Sequence, residues 1–103
     1  MPTKEQLRKI KNEMSGEDNR MPLLLDALGD TGRYRIFKIL MDYSGICVTE
    51  IAAVLGITVP AVSQQLRILE RVGLITKERM GLKICYEIKR DDPLVRSLCK
   101  LFS

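Results

Sequence analysis

Two helical patterns joined by only three residues, Gly56-Ile57-Thr58, constrain this chain more than any other feature. Residues 49–55 place Ile51, Ala52 and Leu55 on one helical face, and residues 59–72 do the same with Val62, Leu66 and Leu69. Gly56 stands where a left-handed helix end is needed. Thr58 suits an N-cap, and Pro60 is tolerated in a first helical turn. So short a link forces the second helix to cross the first steeply, which predicts a helix-turn-helix over about residues 49–72. The apolar period changes after Gly73. Residues 74–80 and 83–89 are rich in β-branched and aromatic side chains and flank Gly81-Leu82, a pair suited to a hairpin turn. A helix-turn-helix followed by a hairpin is a helix-turn-helix with a wing, here over about residues 74–89.

The remaining segments read as helices around that unit. Residues 3–14 carry Leu7, Ile10 and Met14 on one stripe, and a polar break follows at Ser15-Gly16-Glu17-Asp18-Asn19. A second helix starts near Met21-Pro22 and stops at Gly29. A third, capped by Asp30 or Thr31, runs to about Tyr43 with Tyr34, Phe37, Leu40 and Met41 inward and Ile36 and Ile39 widening the stripe. Asp92-Pro93 opens a last helix over about 92–102, with Leu94, Leu98, Leu101 and Phe102 as its apolar stripe. The expected order is α-α-α-α-α-β-β-α: mainly α with a small β-hairpin, a winged helix-turn-helix. The 103 residues suffice for one domain and are too few for two, so 1–103 reads as a single domain. The stripes of the two end helices fall outside the winged unit. Exposed stripes of that kind mark an interface, so these helices are expected to dimerise the chain.

The second helix of the unit has an outer face made of Pro60, Ser63, Gln64 and Arg67. Amide and hydroxyl side chains near a helix N-terminus suit base reading, since glutamine can pair with adenine through two hydrogen bonds and serine can meet bases or phosphate. Thr58 and the N-terminus itself favour phosphate. The charge distribution agrees. Residues 1–57 carry eight Lys and Arg against eight Asp and Glu, and 91–103 carry two against two. Residues 58–90 carry seven, Arg67, Arg71, Lys77, Arg79, Lys83, Lys89 and Arg90, against Glu70, Glu78 and Glu87. The whole net charge of +4 therefore sits in this stretch, as expected for a polyanionic partner. Lys77, Arg79 and Lys83 of the wing would hold flanking phosphates or enter the minor groove. The partner expected from these residues is double-stranded DNA. A protein-interaction module built on the same fold is the alternative reading. It would not need Gln, Ser and Arg on the recognition face together with a basic wing.

The chain has no histidine, which removes imidazole catalysis and most zinc sites. It also lacks a Gly-rich phosphate loop, informatively paired carboxylates and a nucleophile–base pair, so no enzyme and no cofactor is expected. No apolar run approaches the roughly 18 residues of a membrane span. The first eight residues have no apolar stretch of a signal-peptide kind. The expectation is a cytoplasmic protein with no membrane partner. Cys47, Cys85 and Cys99 are odd in number and widely spaced, which argues for reduced thiols rather than a disulfide scaffold. Cys47 opens the first helix of the helix-turn-helix, where the macrodipole can lower a thiol pKa. Cys47, with Cys99 or a cysteine of another subunit, is the candidate sensor, against the plainer reading of a small packed hydrophobe. Cys85 is expected in the core or on the sheet, and Cys99 near the dimer interface.

Residues 24–88 resemble the winged-helix core of the ArsR/SmtB type of bacterial and archaeal regulators. The segments LLDALGDTGRYRIFKILM, CVTEIAAVLGITVPAVSQQLRILERVGLI and RMGLKICYEI carry the resemblance. Val62-Ser63-Gln64-Gln65-Leu66 and the Leu69, Gly73, Leu74 that follow are its most specific part. Gln65 stands where that family commonly has histidine, and its amide still donates, so a contact with phosphate or base is expected there. The resemblance implies a homodimer that represses transcription from an imperfect palindrome, often released by metal, metalloid or thiol chemistry. The family's metalloid-sensing members carry Cys-Val-Cys where this chain has Cys47-Val48-Thr49. Its zinc sites on the last helix use Asp and His, and Asp91 and Asp92 have no histidine beside them, so no metal site is expected. The inducer, if the chain has one, is left unknown.

Overall fold

The computed structural model describes residues 1–16 and 19–103. Glu17 and Asp18, from the expected polar break, lie outside the described residues. The elements are α1 (Lys4–Ser15), α2 (Arg20–Leu28), α3 (Thr31–Asp42), α4 (Val48–Leu55), α5 (Val59–Arg71), β1 (Ile75–Met80), β2 (Lys83–Ile88) and α6 (Pro93–Phe102). Their order and type are those the sequence implies.

Local chemistry sets most of the boundaries. Thr3 and Gln6 form a reciprocal capping box at the start of α1. Asp30 caps α3 through the amide of Arg33 at 3.1 Å, and Thr58 caps α5 through that of Ala61 at 3.3 Å. Gly56 ends α4 at φ 66°, in the left-handed region. The chain bends by 112° between α4 and α5, within the range of a helix-turn-helix. The hairpin is antiparallel, with Ile75 opposite Ile88 and Met80 opposite Lys83. Gly81, at φ 66°, supplies the positive φ that a type II′ turn needs at its first central position. On the far side of β2 an isolated bridge joins Cys85 to Cys47, so the loop before α4 is stitched to the wing.

The core gathers Leu24, Ala27 and Leu28 of α2, Ile36, Phe37 and Leu40 of α3, Ile51 and Ala52 of α4, and Val62, Leu66 and Leu69 of α5. Leu74, Ile75, Tyr86 and Ile88 close it from the wing. Ile36, expected at the margin of the α3 stripe, is fully buried, while Tyr34 and Met41 are half-buried.

The last helix departs from expectation. Its buried residues are Val95, Leu98 and Cys99, with Leu94 and Phe102 packed against the core, while Leu101 is 70% exposed. At about 100° per residue, positions 95, 98, 99 and 102 share one face and Leu101 falls on its flank. That face is spent inside the chain. Phe102 meets the rings of Tyr34 and Phe37 edge-on at 5.5 and 6.4 Å, and Lys38 Nζ donates to its carbonyl at 2.8 Å. Asp92 caps α6 through the amide of Leu94 and pairs with Arg20 at the start of α2. Cys99, expected near a dimer interface, therefore lies in the core of its own chain.

The first helix is the opposite case. No residue of α1 is buried, and Leu7, Ile10 and Met14 are 54%, 49% and 62% exposed. The Cα radius of gyration is 17.4 Å, against about 13 Å for a compact chain of 100 residues. An apolar helix held away from its own core accounts for the difference.

Candidate nucleic-acid interface

The face of α5 opposite the core carries Pro60, Gln64, Arg67 and Arg71, spaced by four, three and four residues. All four are exposed and, with Ile68, line a shallow groove along the helix. Arg71 was not among the residues expected at this surface. Its spacing of four from Arg67, within the basic stretch 58–90, is the signal that places it on this stripe. Ser63 is half-buried at the edge of the stripe. Thr58 is exposed, but its hydroxyl oxygen already accepts from the Ala61 amide.

Gln65 corrects an expectation. Its side-chain oxygen accepts from Arg33 Nη1 at 3.1 Å, and its Nε2 donates to Asp30 Oδ2 at 3.4 Å. Arg33 is itself anchored on the Ala27 carbonyl at 2.7 Å. The amide is thus turned toward the start of α3, with both ends occupied, and it ties the recognition helix to the core instead of facing outward. The helical spacing decides this: Gln65 adjoins buried Leu66 and Leu69, while Gln64 lies on the far side.

The wing cations divide between two faces. Alternation along β1 puts Lys77 and Arg79 on the side of Tyr86 and Ile84, their partners across the ladder. Lys77 Nζ lies 5.9 Å from the centre of the Tyr86 ring, which limits where its ammonium can reach. Lys83 lies on the other face, with Cys85, and its charge helps hold the Glu50 carboxyl of α4 below the usual range. The larger cause there is the Cys47 amide, which donates to Glu50 Oε1 at 2.9 Å.

The cysteines expected as candidate sensors, Cys47 with Cys99, are not brought together. Cys47 faces Cys85, with 3.3 Å between the two Sγ atoms, while Cys99 sits in the core beside Met41 and Arg90. The position at a helix N-terminus does not activate Cys47. The Cys85 thiol, partial burial and the Glu50 carboxylate together push its pKa up to about 11. The largest cause is the hydrogen bond with the Cys85 thiol, which favours the neutral form of Cys47. Burial also pushes the Cys99 thiol up. Among the described residues no group of three His, Cys, Asp or Glu side chains is placed to hold a metal ion. No single helix among them is long and apolar enough to cross a membrane.

Comparison with known proteins agrees with this geometry. A family model described as bacterial regulatory protein, arsR family, matches residues 30–77, from the cap of α3 into β1. A curated relative, the transcriptional repressor SmtB homolog of Synechocystis sp., is 33% identical over 86 residues, which are 82% of this chain and 64% of the relative. The chain thus spans somewhat less than two thirds of that relative's length. Among solved structures, reduced HlyU from Vibrio cholerae matches with a TM-score of 0.75 at 26% identity, covering 87% of this chain and 92% of its own. The homodimeric winged helix-turn-helix DNA-binding domain of Mb0332 from Mycobacterium bovis, described as a possible ArsR-family transcriptional regulator, matches with a TM-score of 0.71 at 26% identity. The match covers 82% of this chain and 75% of that one. The matched stretch spans the helix-turn-helix and the similar structures extend over the wing and last helix, so over its winged unit this chain is similar to the ArsR family of bacterial regulatory proteins.

Proposed function

We propose that the chain is a sequence-specific DNA-binding transcriptional repressor, one winged helix-turn-helix domain that acts as a homodimer on an imperfect palindrome. The observation that carries this is the outer stripe of α5. Gln64, Arg67 and Arg71 stand exposed in one line, while the opposite face of the same helix is held by Val62, Leu66 and Leu69 in the core. A rigid helix presenting one amide and two guanidinium groups fits a major groove. Gln64 and Ser63 read bases, and Arg67 and Arg71 hold phosphate. The N-terminal end of α5, from Thr58 through Pro60, approaches the backbone. Lys77 and Arg79 reach flanking phosphate from one face of the wing, and Lys83 from the other. The relatives named above, a repressor and a homodimeric DNA-binding domain, support the same reading. The protein carries out no chemistry on a substrate, works in the cytoplasm, and dimerises through α1 with the exposed flank of α6.

Titration of the reduced protein against the DNA immediately upstream of its own gene, and against a scrambled duplex, tests the proposal. The upstream DNA should bind at least a hundredfold more tightly, and log affinity should fall linearly with log salt concentration. Equal affinity for both duplexes would favour the protein-interaction module.

A further inference from the structure

Two thiols that are 38 residues apart in sequence face each other across the seam between the helix-turn-helix and the wing. Cys47 is the N-cap of α4 and Cys85 lies in β2, and the two residues are paired by the isolated antiparallel bridge. Directly opposed residues in an antiparallel pair have Cα atoms about 4.5–5.5 Å apart, inside the range of about 4.4–6.8 Å that a disulfide spans. The Sγ atoms, 3.3 Å apart, are in contact, and both also lie near the Gly45 carbonyl, at 4.0 and 3.9 Å. Access is unequal. Cys47 is half-buried and Cys85 only 2% exposed, so a reagent from solvent meets Cys47 first.

We infer that Cys47 and Cys85 form a dithiol site that a small-molecule disulfide or a peroxide closes to an intramolecular disulfide, fastening the first helix of the DNA-reading unit to the wing. With a disulfide as oxidant, Cys47 loses its proton to solvent and attacks one sulfur, and the other sulfur leaves as a thiolate. Cys85 then gives up its proton and attacks Cys47 Sγ, releasing the second small thiol. In total two protein thiols are oxidised to one disulfide and one small disulfide is reduced to two thiols. A peroxide converts Cys47 to the sulfenic acid, and Cys85 displaces water from it. The second step is intramolecular between touching sulfurs, so it outruns a second addition from solution.

The surroundings make the first step slow at neutral pH. Cys85 of β2 and Glu50 of α4 both face Cys47. Glu87 of β2 accepts from the Gly45 amide of the adjoining loop, and the charge of Lys83 acts on Glu50. The site therefore responds to sustained oxidant rather than to brief exposure. Closing the disulfide draws the sulfurs from 3.3 Å to about 2.05 Å, which pulls β2 toward α4 and adds a covalent tie to the bridge and the Gly45–Glu87 hydrogen bond already there. The effect on DNA rests on the function proposed above, and we expect the closed form to bind its DNA at least fivefold more weakly.

The test is peptide mapping of the full chain after incubation with oxidised glutathione, then titration of the reduced and oxidised forms against the same upstream DNA. The expected result is a linkage between Cys47 and Cys85 in the wild type and in Cys99→Ser, reversed by dithiothreitol and absent from Cys47→Ser. The wild-type map alone decides the chemistry, so an unfolded variant does not rescue the idea. Glutathione retained on Cys47, a linkage to Cys99, a linkage between two chains, or no oxidation overturns the site. If the linkage forms but reduced and oxidised protein bind DNA within twofold of each other, the switch is overturned and the site stands. If the reduced protein shows no preference for any upstream DNA, it is the proposed function that fails.

Discussion

Gly56 holds φ 66° with no atom within 4 Å of where a β-carbon would be added. Gly56→Ala therefore meets no clash, and its cost is conformational alone, about 1–2 kcal/mol. Urea unfolding should show that loss with an unchanged slope. The adjacent glutamines separate by role in the same way. Gln65 bridges Arg33 and Asp30, two charged partners, so Gln65→Ala should cost about 1–2 kcal/mol of stability. Gln64 is exposed and makes no side-chain hydrogen bond among the described residues, so Gln64→Ala should leave stability within about 0.5 kcal/mol while relaxing preference at one base pair of the DNA. Denaturation of both variants with binding-site selection on each checks the pair. Equal loss of stability in the two would show that Gln65 does not act as a tie. For Cys47, the raised pKa predicts that alkylation by iodoacetamide quickens about tenfold per pH unit from 7 upward, without levelling until near 11.

Asp92 joins two elements that are far apart in sequence. Its carboxylate accepts from the Leu94 amide of α6 at 3.0 Å and pairs with Arg20 of α2. The Arg20 guanidinium beside it is the largest cause holding its carboxyl below the usual range, followed by the capping amides. A carboxyl depressed in the folded state stabilises above its unfolded pKa of about 3.9 and loses that contribution as pH falls through the lower folded value. Wild type should therefore lose stability below about pH 4, and Asp92→Asn should be less stable at pH 7 with a flatter acid limb. Melting temperature followed from pH 7 to 2.5 checks this. Asp92 also shows what was legible in the chain. Its role as a cap could be read from Asp92-Pro93, because a cap involves only neighbours in sequence. Its pairing with Arg20 could not, because 72 residues separate the two. The same divide holds elsewhere. Gly56, Gly81, Thr58 and the spacing of Val62, Leu66 and Leu69 suffice to place α4, α5 and the hairpin, and with them the outer stripe of α5. The contact of Cys47 with Cys85 and the inward turn of Gln65 depend on which elements pack together. So does the buried face of α6, where four leucine and phenylalanine positions suggested one stripe and core packing selected another that includes Val95 and Cys99.

At the scale of the whole molecule, exposed apolar side chains fall in two places, on the wing and the helix-turn-helix (Val54, Ile57, Val59, Met80, Leu82, Ile84) and on the helices around them. The cationic stretch from Arg67 to Arg90 lies on α5, the wing and the segment after it, while α1 extends from the rest with Leu7, Ile10 and Met14 uncovered. Leu23 and Leu25 of α2 and Leu101 of α6 are further large apolar side chains left exposed. A lone helix of 12 residues with no buried face is marginal in water, so α1 needs a surface to lie on. On the proposed function a second copy of the chain supplies one, since a two-fold axis brings the same stripes face to face. That arrangement also serves the proposed function, because two α5 helices related by two-fold symmetry can meet successive major grooves about 34 Å apart. α6 has less to offer than its sequence suggested, since most of its apolar face is committed to its own core, so α1 should carry most of the interface. Leu7→Glu with Ile10→Glu should therefore give a monomer at tens of micromolar, while the melting of the winged core remains cooperative, because neither residue touches that core. Leu101→Glu should weaken the dimer less. Sedimentation equilibrium of the three proteins measures both effects. A wild-type monomer, or a double variant that still dimerises fully, would show that α1 is covered by something other than a second copy.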